Sequence, residues 1–335
     1  MELILTDSSM NDVRRLFDVE IDIDLKDTNT FELKVKRGDF QEDLTFGSAI
    51  YASGTEYGGI IGEIDTDTSL DTISLKGYTW RGMLDKKIIK PPPGEDYRTI
   101  SGELNTVLNT LISEQFDSLF SVLDVDTGKT ISNFQFNRYT TLLAGIKKML
   151  KSVGYKLQIK FIQQEQGAPG YVELAATQIE DYSEYIELSQ DDQLNFTFQN
   201  VRNGVNHLIC LGTGKLKNRA VVDLYLQKDG TIGTTQYYTG IREVAETYED
   251  TNAEAEELEE KGRDHFLEVM NYTQFEMNVA TLDVDIDIGD VIGGRDYLTG
   301  LYAKKPISGK IWRFADGVES IEYSVEGEDE EEEIA

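Results

Sequence analysis

Residues 19–25 read VEIDIDL, an unbroken alternation of apolar and acidic side chains. Only an extended strand sorts such a run into one dry face and one wet face, because successive side chains leave a strand on opposite sides. The same period of two returns in FELKVK, where Phe31, Leu33 and Val35 share a face. It continues through GGIIGEI (58–64) and TISLKGY (72–78), at the close spacing of an antiparallel sheet or small barrel. The first ninety residues are therefore committed to β structure.

A break follows. WRGMLDKKII runs into Pro91-Pro92-Pro93-Gly94, where three of the five prolines of the chain meet, and neither a helix nor a central strand crosses such a run. Beyond it the period changes. Leu104, Val107, Leu108, Leu111 and Ile112 fall at helical spacing over 101–116, with Ser101 placed to cap the N-terminus. Leu142, Leu143, Ile146, Met149 and Leu150 repeat that pattern over 138–151. Lys147, Lys148 and Lys151 suit the carbonyl end of this second helix, and Gly154 stops it. YKLQIKF (155–161) and YVELAA (171–176) read as a hairpin around QQEQGAPG.

From residue 185 strands resume in LNFTFQN, HLICLGTG and RAVVDLYL, the last meeting the turn KDGT. One acidic helix, about 252–271, interrupts them with Leu258, His265, Phe266, Val269 and Met270 on its apolar face. FEMNVATLDVDIDIGDVIGG, ISGKIWRF and ESIEYSVEG finish the pattern. The expected fold is mainly β with an α+β insert. Residues 1–97 form a first β-barrel-like module, completed by strands near 179–200, and residues 98–178 an inserted α/β domain. Residues 179–325 form a second β-barrel-like module with the crossover helix, and residues 326–335 a disordered acidic tail.

Charge and composition exclude several classes. At 335 residues and 39% apolar, the chain can fill two or three cores. Its apolar residues never gather into the roughly 18 in a row that a membrane-spanning helix needs. MELILTDSSMNDVRRLF has neither a basic start nor a small-residue cleavage site, so no secretory signal is expected. The single cysteine, Cys210, lies in the apolar run HLICL, where a buried inert thiol is expected in a chain made in a reducing cytosol. The net charge is −30. Residues 243–260 hold nine acids and no base, and the tail from Glu326 holds seven more and no base. Such a surface repels phosphate and disfavours specific nucleic-acid binding.

No catalytic, cofactor or metal site is read. His207 and Cys210 stand three apart on a strand-like run and so point to opposite faces, a poor geometry for a nucleophile and its base. With only His207 and His265 in the chain, a zinc site lacks ligands. DVDIDIGD offers Asp283, Asp285 and Asp287 at alternate positions, but Gly289 comes one place late and Gly294 stands where a calcium loop needs glutamate. Alternation instead sets these carboxylates on one solvated face, with Val284, Ile286 and Ile288 inward. DTDTSLD (65–71) and DVDTG (124–128) read as turns. Gly128-Lys129-Thr130 has Leu123 where a phosphate loop needs glycine. GTGKLKNR (212–219) lacks the hydroxyl after lysine and lies between strands, so both are hairpin connections. No GxSxG occurs, and no local pattern marks a carboxylate pair for glycoside cleavage.

GTEYGGIIGEIDTDTSLDTISLKGYTWRGMLDKKIIKPPPGEDY (54–97) resembles the N-terminal signature of siphophage tail-hub proteins, found in phages and prophages of Gram-positive bacteria. Its most specific parts are the GGII strand, the G-x-T-W-R-G-M-L turn and the K-I-I-x-P-P exit. Further likeness runs in order through NVRNGVNHLICLGTGKLKNRAVVDLYL, LEEKGRDHFLEVM and IDIGDVIGGRDYLTGLYAKKPISGKI. The resemblance implies a baseplate-hub fold with two barrels like tail-tube subunits and an α/β insert. It also implies a homotrimeric ring at the virion tail tip, assembled in the host cytoplasm. The implied neighbours are the distal tail protein, the tail tube, tape-measure proteins, and tail fibre or receptor-binding proteins. DNA would pass through the ring without being specifically bound, and no membrane insertion is expected. Many relatives carry a C-terminal peptidase, lysozyme or fibre-like extension, whereas after Val325 this sequence has only its acidic tail, so wall degradation is expected to reside elsewhere. Trp80 and Arg81, in the turn 78–84, and Tyr297, in the loop 289–301, are the contact residues expected for neighbours. The rival readings are a tail-associated cell-wall hydrolase and a glycan-binding receptor protein.

Overall fold

The structure, a computed structural model, describes residues 2–164, 168–183, 187–188, 195–201, 203–228, 230–270, 272–280, 286–295, 297–315 and 317–325. The acidic tail at 326–335, Asp283 and Asp285, and part of the segment 179–200 lie outside the described residues.

Seven strands open the chain: β1 (Leu3–Thr6), β2 (Asp12–Leu16), β3 (Glu20–Asp24), β4 (Thr30–Lys36), β5 (Ala49–Ala52), β6 (Gly58–Thr66) and β7 (Thr72–Thr79). Helix α1 (Trp80–Asp85) follows at once. An α/β segment comes next, with β8 (Thr99–Glu103), α2 (Leu104–Ser113), β9 (Phe120–Val122), β10 (Thr130–Gln135), α3 (Leu142–Lys151), β11 (Tyr155–Ile162) and β12 (Tyr171–Gln178). After β13 (Glu187–Leu188) and β14 (Asn195–Val201) come β15 (His207–Leu211), β16 (Val221–Leu226), β17 (Ile232–Gly233), β18 (Ala245–Glu249) and α4 (Ala255–Val269). β19 (Tyr272–Ala280), β20 (Val291–Arg295), β21 (Tyr302–Ala315) and β22 (Val318–Val325) end the pattern. The fold is mainly β, as the alternation demands. It divides into two compact units, Met1–Phe196 with Met277–Glu326, and Thr197–Glu276.

In the first unit the strands run β2-β1-β5-β6-β7-β4-β3-β21-β22, each antiparallel to its neighbours. The sheet curls into half a barrel. Its register lines up the period-two rows. Ile21, Leu33 and Leu75 lie abreast and buried. The next row, Arg313, Asp22, Glu32, Lys76 and Glu63, stands on the opposite, polar face.

The α/β segment belongs to this unit. Helices α2 and α3 carry the apolar residues expected of them into a core with β11 and β12, a hairpin whose second strand also pairs in parallel with β9. That core is continuous with that of the curled sheet, since Tyr51, Trp80 and Leu84 share it with Leu108, Ile146 and Phe161. Helix α2 begins later than expected. Ser101 is not its cap but sits in β8, which pairs with β10. Glu103 takes the cap role, its Oε2 accepting from the Thr106 N–H at 2.8 Å while Oε1 accepts from the Thr127 N–H at 2.9 Å. Burial alone would raise this carboxyl, but the hydrogen bonds from Thr127 and the helix start overcome it and bring the pKa down to about 2.

The second unit is a sheet ordered β17-β16-β15-β18, with β15 and β18 parallel. Helix α4 buries Leu258 and Phe266 against Leu208, Cys210 and Leu224. Gly262 makes this possible, because a Cβ there would stand 2.4 Å from the Cys210 sulfur.

Candidate functional site

The most distinctive stretch of the sequence, 54–97, folds into β6, β7 and α1. Its glycines are explained by close approach. A Cβ at Gly77 would lie 1.8 Å from the Ile60 carbonyl oxygen, and one at Gly82 would lie 2.2 Å from that of Asn29. Thr79 caps α1, its Oγ1 accepting from the Gly82 N–H at 3.2 Å. Trp80, the first helical residue, is fully enclosed in its own unit and stacks on Phe161 with ring centroids 5.4 Å apart. Arg81 is buried too, its Nε donating to Glu56 Oε2 at 2.6 Å. Both therefore brace the turn from within. Tyr297, by contrast, is 62% exposed beside Leu298 at 91%, in the loop between β20 and β21.

Arg81 and Glu56 open a line of charges that the sequence did not announce. Lys310 Nζ lies 4.0 Å from Glu56 Oε1 and 3.6 Å from Asp287 Oδ1. Lys156 Nζ lies 3.3 Å from Asp287 Oδ2 and 2.5 Å from Asp290 Oδ2. The signs alternate along the line and cancel. Asp290 is 2% exposed and also accepts the backbone N–H groups of Glu180 and Asp287. Burial pushes Asp287 up, but Lys310 and Lys156 hold it below the usual carboxylate range. Ile286 and Ile288 do turn inward, whereas Asp287 is committed to two lysines instead of to water alone. One signal was present: Lys310 shares a strand face with Trp312, an inward slot in a β run. Its partners lie too far away in sequence for any local pattern to name them.

In the second unit His207 is held on both ring nitrogens. Nδ1 lies 2.6 Å from Glu243 Oε1 and Nε2 lies 2.7 Å from Asp223 Oδ1, with the ring stacked on Tyr225. Burial would lower its pKa, but the two carboxylates outweigh this and raise it. Cys210 faces the core, where burial pushes the thiol up to about 11. The two residues thus serve different faces of β15, and no cluster of His, Cys, Asp or Glu suited to a metal occurs among the described residues.

Two surface features remain. An open groove of about 840 Å³ lies on the polar face of the first unit's sheet. Asp22, Asp24, Glu32 and Glu63 line it, against only two lining cations, Lys76 and Arg313. The loop 212–219 connects β15 and β16 as expected of GTGKLKNR, and carries Leu216 at φ +52° with 94% of its surface exposed.

No protein-family model matches the sequence, and no curated protein matches it. Solved structures do. The chain is similar to the 43 kDa tail protein of prophage MuSo2 from Shewanella oneidensis, at 14% identity and a TM-score of 0.52, covering 98% of both chains. It is also similar to a chain of the phage P2 baseplate in its activated conformation with Ca, at 10% identity and a TM-score of 0.53, covering 98% of this chain and 99% of that one. A topological model of the p2 virion baseplate gives 10% identity and a TM-score of 0.52, over 96% and 98% of the two chains. At these identities the likeness is one of fold, and it extends over nearly the whole chain.

Proposed function

We propose that the chain is a non-enzymatic structural subunit of a phage or prophage tail tip, of the siphophage kind found in Gram-positive bacteria. Three copies close a baseplate-hub ring that joins the tail tube and distal tail protein to the tip. The observation that carries this reading is the near-complete correspondence of fold with tail and baseplate proteins, 98% of this chain on 98–99% of two of theirs. On this reading residues 1–97 and 179–325 supply two tube-like modules per copy, with 98–178 inserted between them. A threefold ring then offers six modules to a sixfold tube, and closed rotation leaves no unsatisfied end. Tape-measure and fibre or receptor-binding proteins are further neighbours, and the exposed Tyr297 is the retained contact residue.

The net charge of −30 suits a passage for DNA. Phosphates are repelled over the Debye length of about 8 Å at physiological salt, so the duplex slides without adhering. Analytical ultracentrifugation and negative-stain microscopy test the proposal, on the purified chain alone and with its distal tail protein. The expected particle has three times the mass of one chain, threefold symmetry and a central hole. A monomer in both preparations, or an open filament, would sink it.

A further inference from the structure

We propose that the tip Lys215–Leu216–Lys217 of one copy docks in the acid-lined sheet groove of a neighbouring copy. The loop that carries the tip is firmly closed. Gly212 N–H donates to the Ala220 carbonyl at 2.8 Å, Ala220 N–H to the Thr213 carbonyl at 2.7 Å, and Arg219 Nε to the Gly212 carbonyl at 3.1 Å. On this base the chain holds Leu216 at φ +52°, a region that leucine rarely enters. Its side chain stands 94% in solvent between two exposed lysines, and neither lysine forms an ion pair with a described residue. In a sequence with 62 acids and 32 bases, a projecting apolar residue flanked by cations is out of keeping with its surroundings.

The groove has the opposite character. Its four carboxylates exceed its two cations by the charge that two lysines bring. Beside them the lining includes Ile60, Met83 and Tyr78, the last 47% exposed. Asp24 is held by the N–H groups of Lys26 and Asp27 and the Thr28 hydroxyl, with no cation paired to it among the described residues. Leucine would cover these apolar side chains and the lysines would pair with the carboxylates. Tip and groove are complementary in charge and each offers exposed apolar surface, so the occupant assigned to the groove is a second copy of this chain. Such a tip-to-groove contact is heterologous, the kind that closes rings. The inference rests on the ring reading only in taking the neighbour to be a second copy.

Sedimentation of the full chain over a concentration series tests it, with thermal unfolding as the control for folding. Wild type is expected to associate, and Leu216→Asp and the pair Lys215→Glu/Lys217→Glu to weaken association about tenfold or more with unfolding unchanged. Adding Asp22→Lys/Glu63→Lys to the double-glutamate variant restores it. A double-glutamate chain that associates as tightly as wild type overturns the contact and leaves the ring standing. A loss that the groove exchange does not restore overturns the groove as acceptor, and so does a wild type that stays monomeric. Should the groove variant fail to fold, Leu216→Cys with Gly62→Cys decides, since a Cβ at Gly62 meets nothing within 4 Å. Mild oxidation then yields covalent oligomers, and their absence in an intact ring overturns the contact.

Discussion

Asp290 concentrates the most consequence in one side chain. Its carboxylate is the nearest counter-charge to Lys156, itself 8% exposed, and stripping one partner from a buried pair typically costs about 3–5 kcal/mol. Asp290→Ala is expected to lose stability of that order in chemical unfolding. Lys156→Met combined with Asp290→Leu removes both charges and should recover part of the loss. Equal losses in the single and double variants would show the two groups to be uncoupled. Residues of this kind were hidden in the sequence because a charge in a strand advertises water. The reverse held for Trp80 and Arg81, which a distinctive motif offered as contacts and the fold spends on packing and on Glu56. Tyr297 is the one of the three set in solvent.

At the scale of elements the pattern was far more legible. Ile21 and Ile23, like Phe31, Leu33 and Val35, are buried as their alternation required, and both helical runs of the α/β segment appear with their expected apolar faces. Helix ends were harder to read. The choice between Ser101 and Glu103 as cap depended on β8 pairing with a strand about thirty residues away, which no local spacing records. The close pairing of β6 and β7 is similarly fixed by residues that lack a side chain. Gly77→Ala would force a methyl carbon to within 1.8 Å of a carbonyl of the partner strand. We expect loss of several kcal/mol or failure to fold, whereas Gly62→Ala, with open space around it, should change stability by no more than about 1 kcal/mol. Comparing soluble yield and melting temperature of the two variants checks this.

For the whole molecule, the two units own separate apolar clusters, and heating is expected to give two transitions. The second unit's should depend on pH through His207. Its folded pKa is raised, so the stabilisation is complete below the unfolded value of about 6.5 and is lost as pH climbs through the folded value. Calorimetry between about pH 6 and 9 should therefore lower one transition, and His207→Gln should remove that shift. Two transitions moving together would refute the assignment. The packing of Cys210 beneath Gly262 also has a practical side. The only thiol in the chain is shut inside one core, so thiol-selective reagents find nothing to modify on the native surface. Thiol modification of the unaltered protein then counts openings of that core, and a cysteine grafted elsewhere becomes a uniquely addressable handle for following assembly.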